Sequence, residues 1–503
     1  MALGPLKNLR AGIVHSNLTV DELRALASKD ETTTEYGSPS YITQVRNRSA
    51  KHTYVVTDGR AVRLGLGQQA IEPERARELV KAVIGYLETQ EVIRVDRNMG
   101  EGPGAIPCTL YITAGFAQIA LMWHRSLFPR TPGDPRMTSV YVPQWPERLI
   151  MVDPEEAVTL ILGTDYFGEA KKSFLRMAMY LVKKEGRLGV HAGGKVLRVS
   201  KPGGLDPVGM LLFGLSGTGK TTLTVHDHSL KEPEGVIIRQ DDVMVMDLGG
   251  SATGTEDSFY IKTEGLEPSQ RVLYDAARHP EAVLENVAVG PEGKIDFLDY
   301  NLTTNGRAIV PRDAVEGADS RINLDRVDKV IFITRRQDVV GPVARLSQEQ
   351  AAAFFMLGES IETSAGDPSR AGQSKREVGT NPFIIGPEGR EGNRFLEILR
   401  ANPAAECFLM NTGSVGPAKI PVAASSAIIR EIARGTVTWR EDPVWGYWSP
   451  REVPGLDLAP YDPARYLSPG EYRERVKRLK EERIAWLGAF EDLDPSIIRA
   501  LGR

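Results

Sequence analysis

The apolar positions of this chain change their period many times, and each change marks an element. Residues up to about 40 form a polar lead-in with one helix over 19–28, opened by Thr19 and the acidic pair Asp21-Glu22. The β-rich run Thr53-Tyr54-Val55-Val56-Thr57 follows a turn at Asn47-Arg48-Ser49. Leu79, Val80, Val83, Ile84 and Leu87 predict a helix over 73–89. Strands are expected at 110–113 and 149–152, with the Pro-rich loop 128–135 between them. The apolar strand 160–164 then runs into Asp165-Tyr166-Phe167-Gly168-Glu169, and a strong helical pattern over 170–184 closes at Gly186.

A short strand ends at His191, and the Gly- and Lys-rich stretch 195–204 reads as a connector between domains. Beyond it, 208–213 is a continuous apolar strand and 235–240 another, ending in Asp241-Asp242. Shorter strands are expected at 259–262, 283–287 and 296–300, and 330–333 is apolar throughout, as in a parallel sheet. Residues 358–380 are rich in Gly, Ser and charge without a period, and read as a mobile lid or a surface insertion. A helix over 394–401, a strand over 405–410 and an amphipathic helix to 487, introduced by the capping-box spacing Ser468-Pro469-Gly470-Glu471, complete the chain. The pattern predicts an α/β protein of two domains, 1–200 and 201–503, the second built around the stretch that follows Phe213.

That stretch, 214–222, fits the phosphate-cradling spacing G-x-x-x-x-G-K-[ST] at every fixed position, after a strand and before a helix. Its glycines let the backbone curl with N–H groups inward, forming a nest for the phosphates of a nucleotide. Lys220 would reach the terminal phosphates and Thr221 would ligate Mg²⁺. Asp241-Asp242, at the end of an apolar strand, have the form in which a second strand hands metal ligands to a nucleotide. The run His226-Asp227-His228 suggests metal on sight but lies in a polar turn, and reads as surface.

Composition narrows the partners. A chain of 503 residues exceeds one compact core. With 41% hydrophobic and 25% charged residues it is globular, and a net charge of −4 offers no electrostatic footprint for nucleic acid or an anionic membrane. Cys108 and Cys407, the two cysteines, form no disulfide framework and fit a reducing cytoplasm. Residues 1–17 lack the apolar core of a signal peptide. The uncharged run 102–123 is too polar and too broken by Pro and Gly to span a membrane, and suits a buried strand followed by a buried helix.

Four segments, in this order and spacing, resemble ATP-dependent phosphoenolpyruvate carboxykinase: Gly163-Thr164-Asp165-Tyr166-Phe167-Gly168-Glu169-Ala170-Lys171-Lys172, Gly189-Val190-His191, the loop 214–222, and Asp241-Asp242. Weaker similarities lie at Asn47-Arg48-Ser49-Ala50-Lys51, Tyr111-Ile112-Thr113, Leu284-Glu285-Asn286-Val287, Asn305-Gly306-Arg307 and Leu409-Met410-Asn411-Thr412-Gly413, and Ser216-Gly217-Thr218 is like the ATP-using branch. The resemblance implies a two-domain carboxykinase-like fold with the active site in the interdomain cleft. It implies the gluconeogenic conversion of oxaloacetate and ATP to phosphoenolpyruvate, ADP and CO₂, with Mn²⁺ and Mg²⁺ as cofactors. A cytoplasmic monomer or small homo-oligomer acting on small molecules, without nucleic acid or membrane, goes with it. By the same resemblance Lys172, His191 and Asp242 hold Mn²⁺ and Thr221 holds Mg²⁺. Arg48, Tyr166, Gly168 and Lys172 would bind substrate, with Tyr166 at the CO₂; Lys171, Lys172, Arg307 and Tyr166 would be catalytic. The nucleotide would lie against Leu215, Ser216, Gly217, Thr218, Gly219, Lys220, Thr221, Thr222, Lys262, Glu285, Arg307, Lys419 and Ser425. Lysine ligates a metal only as the neutral amine, which the cation and the neighbouring Lys171 would favour. Lys171-Lys172 could instead be a solvated helix face, but a first helical turn disfavours cations unless an anion or metal offsets the cost.

The sequence also departs from that family. Ala192-Gly193-Gly194 replaces Cys-Ser-Ala-Asn after His191, Phe167 replaces a glycine beside the expected substrate, and Val243-Met244-Val245-Met246 replaces an acidic, His- and Trp-containing segment. Lys419 and Ser425 stand for Arg and Thr, and 366–380 shares little with the family's lid. Three readings follow: a divergent carboxykinase, a kinase of the same fold phosphorylating another acceptor, and a nucleotide-binding regulator without turnover. The first is favoured because Arg48, Tyr166, Lys172, His191 and Arg307 can all still be assigned.

Overall fold

The fully apolar runs become the middle strands of two large sheets, one in each of two units, in a computed structural model that describes residues 2–60, 62–303, 305–361 and 373–502. One unit comprises Met1–Glu185, Gly254–Ile322 and Phe383–Gly386; the other comprises Gly186–Thr253, Asn323–Pro382 and Pro387–Arg503. The sequence-based cut at 200 thus differs from the observed division, in which two later segments return to the first unit.

In the first unit a mixed nine-stranded sheet has Ile106–Thr113, Met137–Val142, Val158–Leu162 and Leu149–Asp153 at its centre. The last three are buried at every position, which is why they read as unbroken apolar runs. Helix Pro73–Leu87 lays Ala76, Val80, Val83 and Leu87 into the same core as Met151, Leu160 and Leu162. The expected helix at the start is Val20–Ala27, with Thr19 and Glu22 forming a capping box. A second, five-stranded sheet runs Ser258–Lys262, Arg307–Pro311, Val283–Glu285, Pro39–Tyr41, Glu31–Thr33. The strand expected at 296–300 is only Ile295–Asp296: the Asp296 carboxylate accepts from the N–H groups of Leu298 and Asp299, and that local turn wins over a ladder.

In the second unit an eight-stranded sheet is centred on three parallel strands, Gly204–Gly214, Lys329–Thr334 and Glu406–Asn411. Val208, Met210, Leu212, Ile331, Phe408 and Met410 pack there with Ile428, Ile429 and Ile432 of helix Val422–Arg434. The stretch 195–204 is no connector. It belongs to the hairpin of Ala192–Lys201 with Gly204–Gly214, and Leu197 and Val199 point into the core while Arg198 and Ser200 point out. Helix Gln348–Leu357 escapes the periodicity reading because from Gln350 onward it is buried on every side, although Ser347 and Gln350 form a capping box.

The described ends of the expected lid are ordered as an antiparallel pair, Glu359–Ile361 with Ser374–Arg376; its middle, 362–372, lies outside the described residues. A buried charge cluster fixes this pair. Glu359 accepts two hydrogen bonds from Arg483 (3.1 and 2.7 Å) and one from Arg376 (2.9 Å). Burial alone would raise its pKa, but Arg483, Arg336 and Arg376 together hold it at about 2. A depressed carboxylate contributes stability that is complete above its unfolded value near 4.5 and is lost as pH falls through about 2. Glu359→Gln should cost about 3–5 kcal/mol at neutral pH by stranding buried arginines. Urea unfolding at neutral pH and at about pH 3 should show the wild type losing part of that advantage on acidification.

Candidate active site

Helix Phe167–Lys184 carries the first group of candidates. It begins three residues before the expected start, so Lys171 and Lys172 lie in its second turn and not in its first. The helix dipole therefore does not explain them, and their partners do. Lys171 is buried, with its Nζ 2.6 Å from the equally buried Glu256 and 5.2 Å from the Tyr260 ring centre. The Lys172 Nζ lies 4.9 Å from the Phe383 ring centre, and the Arg48 guanidinium 5.0 Å from the same ring. Such placements over an aromatic face favour a cation electrostatically. Neither Glu256 nor Phe383 carries a signal in the sequence.

Arg48 sits on a turn stitched to this helix. Asp165 accepts from the N–H groups of Gln44 (2.8 Å) and Val45 (2.9 Å), Glu169 accepts from that of Ser49, and Arg148 donates to Ser49 Oγ (2.7 Å) and Asn47 O (2.7 Å). Asp165 and Glu169, inside the best-matched segment, are thus anchors of the Arg48 turn. Tyr166 is buried, with its hydroxyl 3.3 Å from that of Tyr260. Its ring lies so close over Gly168 that a Cβ there would fall 2.3 Å from it, which is why position 168 has no side chain. Phe167 is fully buried, edge-on to Tyr260 at 5.9 Å.

Lys262, Arg307 and Glu285 are direct partners across three adjacent strands and so share one face of the five-stranded sheet. Lys262 pairs with Glu264, and the Arg307 guanidinium lies 5.6 Å from the Tyr260 ring centre. Glu285 is fully buried and accepts from Phe167 N (2.6 Å) and Tyr260 Oη (3.4 Å), an environment of helix start and tyrosine. Burial raises its pKa to about 8, against the lowering effects of the Phe167 N–H, Arg307 and Tyr260. With the folded value above the unfolded one, its contribution is complete below about 4.5 and is lost as pH rises through about 8. Glu285→Gln keeps the acceptor for Phe167 and should remove that loss, which denaturation midpoints at about pH 5 and pH 8.5 would reveal.

The second unit carries the loop. Gly217 and Gly219 take positive φ values of 82° and 95°, and helix Lys220–Val225 follows at once. Thr218 closes the turn through Oγ1 to Leu215 O at 2.7 Å. Two outside donors hold its backbone: Thr412 Oγ1 to Thr218 O (2.7 Å) and Arg335 to Gly217 O (2.9 Å). Ser216 is exposed, Thr221 and Thr222 are half-buried, and Leu215 and Lys220 are buried. Lys419 is exposed on the short pair Ser414–Val415 with Ala418–Lys419; Ser425 is buried on helix Val422–Arg434, and among the described residues its Oγ has no hydrogen-bond partner.

His191 Nε2 lies 2.9 Å from Asp242 Oδ1, and His191 Nδ1 lies 2.5 Å from Thr380 O. A carbonyl only accepts, so Nδ1 carries a proton; Nε2 then meets the carboxylate either through a second proton, as an imidazolium ion pair, or with the lone pair of the neutral ring. Two acceptors facing each other need a cation between them, a proton or a metal, and a histidine held by a carbonyl through its other nitrogen is the usual metal-ligating arrangement. The donors therefore fit a metal. Among the described residues no group of three or more His, Cys, Asp or Glu that could hold a metal is assembled. Thr380, at the end of the expected lid, is a residue that sequence reasoning missed here.

One expectation about this unit is corrected. His228 is not on the surface but fully buried, while His226 is half-buried and Asp227 exposed. Gly193 and Gly194, in the segment that departs from the family after His191, face no open space: added Cβ atoms would fall 2.3 Å from Thr224 Oγ1 and 2.2 Å from Met244 Sδ, so the space is filled by Thr224 and Met244.

Compared with known proteins, the chain matches the family described as phosphoenolpyruvate carboxykinase over residues 12–459. It is 35% identical over 460 residues to "Phosphoenolpyruvate carboxykinase (ATP)" of Aeropyrum pernix, covering 88% of this chain and 92% of that protein. Identity to the protein of the same name from Rubrobacter xylanophilus is 29% over 546 residues, covering 100% and 98% of the two chains. For that from Geobacillus thermodenitrificans it is 26% over 541 residues, covering 97% and 96%.

Proposed function

The chain belongs to the ATP-dependent phosphoenolpyruvate carboxykinase family, and from that membership we propose how its own residues divide the work. The reaction is oxaloacetate plus ATP to phosphoenolpyruvate, ADP and CO₂. The bond from C3 of oxaloacetate to its departing carboxylate breaks, its electrons form an enolate, and the enolate oxygen takes the γ-phosphoryl group as the bond to ADP breaks. The match over 12–459 carries this conclusion.

In the first unit, Arg48 holds the substrate carboxylate through its fork, with Tyr166 and Gly168 beside the leaving CO₂. Lys171 and Arg307 neutralise charge as it moves onto the transferring phosphoryl group. Lys262 lies along the nucleotide, while the surroundings of Glu285 suit a supporting acceptor for the start of helix Phe167–Lys184. In the second unit, residues 215–222 cradle the phosphates, Lys220 neutralises them, Thr221 receives Mg²⁺, and Lys419 and Ser425 contact the rest of the nucleotide. His191 and Asp242, with Lys172, are the proposed Mn²⁺ ligands; when bound, the metal supplies a Lewis acid for the carbonyl that becomes the enolate. We place the protein in the cytoplasm as a monomer or small homo-oligomer; among the described residues no helix is long and apolar enough to cross a membrane.

Phe167, which stands where the family has a glycine, packs in the core against Tyr260 and so gives no support to a different acceptor. The test is stoichiometry. ADP release should require oxaloacetate and be matched one for one by phosphoenolpyruvate and CO₂; ADP formed with another acceptor and no CO₂ would select the kinase reading.

A further inference from the structure

Lys195 is a fully buried lysine that, among the described residues, pairs with no carboxylate. Its Nζ donates to Leu223 O at 2.5 Å and contacts His228 Nε2, and the His228 Nδ1 lies 3.1 Å from Ser426 Oγ. Ser426 Oγ in turn lies 3.4 Å from His226 Nδ1. Burial lowers the pKa of Lys195 well below the usual lysine value, opposed only by Asp227, and burial with Lys195 and His226 lowers that of His228. Lys195 donates to Leu223 O, and a continuous run of hydrogen bonds joins Lys195, His228 and Ser426 in either tautomer of His228: Nζ donates to Nε2 and Nδ1–H to Ser426 Oγ, or Nε2–H donates to the neutral amine and Ser426 O–H to Nδ1. His226 Nδ1 accepts from the His228 N–H at 2.8 Å.

The ends of this chain matter. Leu223 O is a terminal carbonyl of the short helix Lys220–Val225, whose first turn carries Lys220 and Thr221, and such carbonyls need a partner from outside. Ser426 adjoins Ser425 on helix Val422–Arg434. Thr224 of the loop helix, seated against Gly193, donates to Lys220 O at 2.9 Å. We infer that Lys195 and His228 are positioning residues of the nucleotide site, a buried brace that fixes the loop helix against the helix bearing Ser425. The inference rests on the reading of 214–222 as the ATP loop. The brace is built from segments other than those proposed for the keto acid, so its effect is expected on MgATP alone.

The experiment is MgATP titration calorimetry with steady-state kinetics on wild type, Lys195→Met, His228→Asn, Ser426→Ala and the Lys195→Met/Ser426→Ala double variant. Asparagine suits position 228, where φ is +54°. Lys195→Met should weaken MgATP about tenfold and Ser426→Ala about threefold, with KM for oxaloacetate unchanged. The double variant should be no worse than Lys195→Met, because one chain has been cut twice. Wild-type MgATP affinity in folded Lys195→Met, or equal losses for ATP and oxaloacetate, would overturn the brace. If Lys195→Met does not fold, unchanged affinity in both His228→Asn and Ser426→Ala overturns it. Wild-type protein that fails to bind MgATP would instead overturn the ATP reading, and the inference with it.

Discussion

His191→Ala is expected to lower the rate of phosphoenolpyruvate formation about 10³-fold while leaving MgATP affinity within about twofold. The ring is held from behind by Thr380 O, so that Nε2 faces the Asp242 carboxylate across 2.9 Å. Alanine removes the one neutral donor of that pair and leaves Asp242 in place. Mn²⁺ affinity, read by paramagnetic resonance or calorimetry, should therefore fall with the rate, because both depend on the same lone pair. The loop residues proposed to cradle ATP belong to other segments, and their contacts through Thr218, Thr412 and Arg335 do not involve His191. A variant that loses rate but keeps wild-type Mn²⁺ affinity would show that His191 works as a proton carrier and not as a ligand.

Lys171→Met should fail in two separable ways. The Lys171–Glu256 pair is buried on both sides, and removing the lysine leaves an uncompensated carboxylate, a loss of about 3–5 kcal/mol in the stability of the first unit. Adding Glu256→Gln should restore much of that stability, since a neutral amide has no charge to strand. It should not restore turnover, which we expect to stay about 10²–10³-fold down for want of the cation beside Tyr260. Urea unfolding and steady-state rates of the single and double variants check the two parts independently. Recovery of rate together with stability would make Lys171 a structural residue.

The loop 214–222, the capping boxes at Thr19 and Ser468 and the buried central strands were legible because each is written in adjacent residues. What was not legible depends on residues far apart in the chain. Phe383 meets Arg48 and Lys172 only because 383–386 returns to the first unit, and nothing near Asn381-Pro382-Phe383 announces it. Lys195 followed two glycines and looked solvated; its partners His228 and Leu223 O come from beyond the loop. The early start of helix Phe167–Lys184 was hidden by Gly168, a poor helix former whose place is set by the Tyr166 ring above it. The helix 348–357 has no polar face beyond its first turn because every residue from Gln350 to Leu357 is buried, so the amphipathic signal was missing where the element was most secure.

The most direct test runs the reaction in reverse: phosphoenolpyruvate, ADP, bicarbonate and Mn²⁺ with the purified wild-type protein and with His191→Ala, following oxaloacetate by its coupled reduction to malate. The account predicts Mn²⁺-dependent oxaloacetate formation by the wild type and almost none by the variant. No oxaloacetate from wild-type protein that still binds MgATP would contradict it.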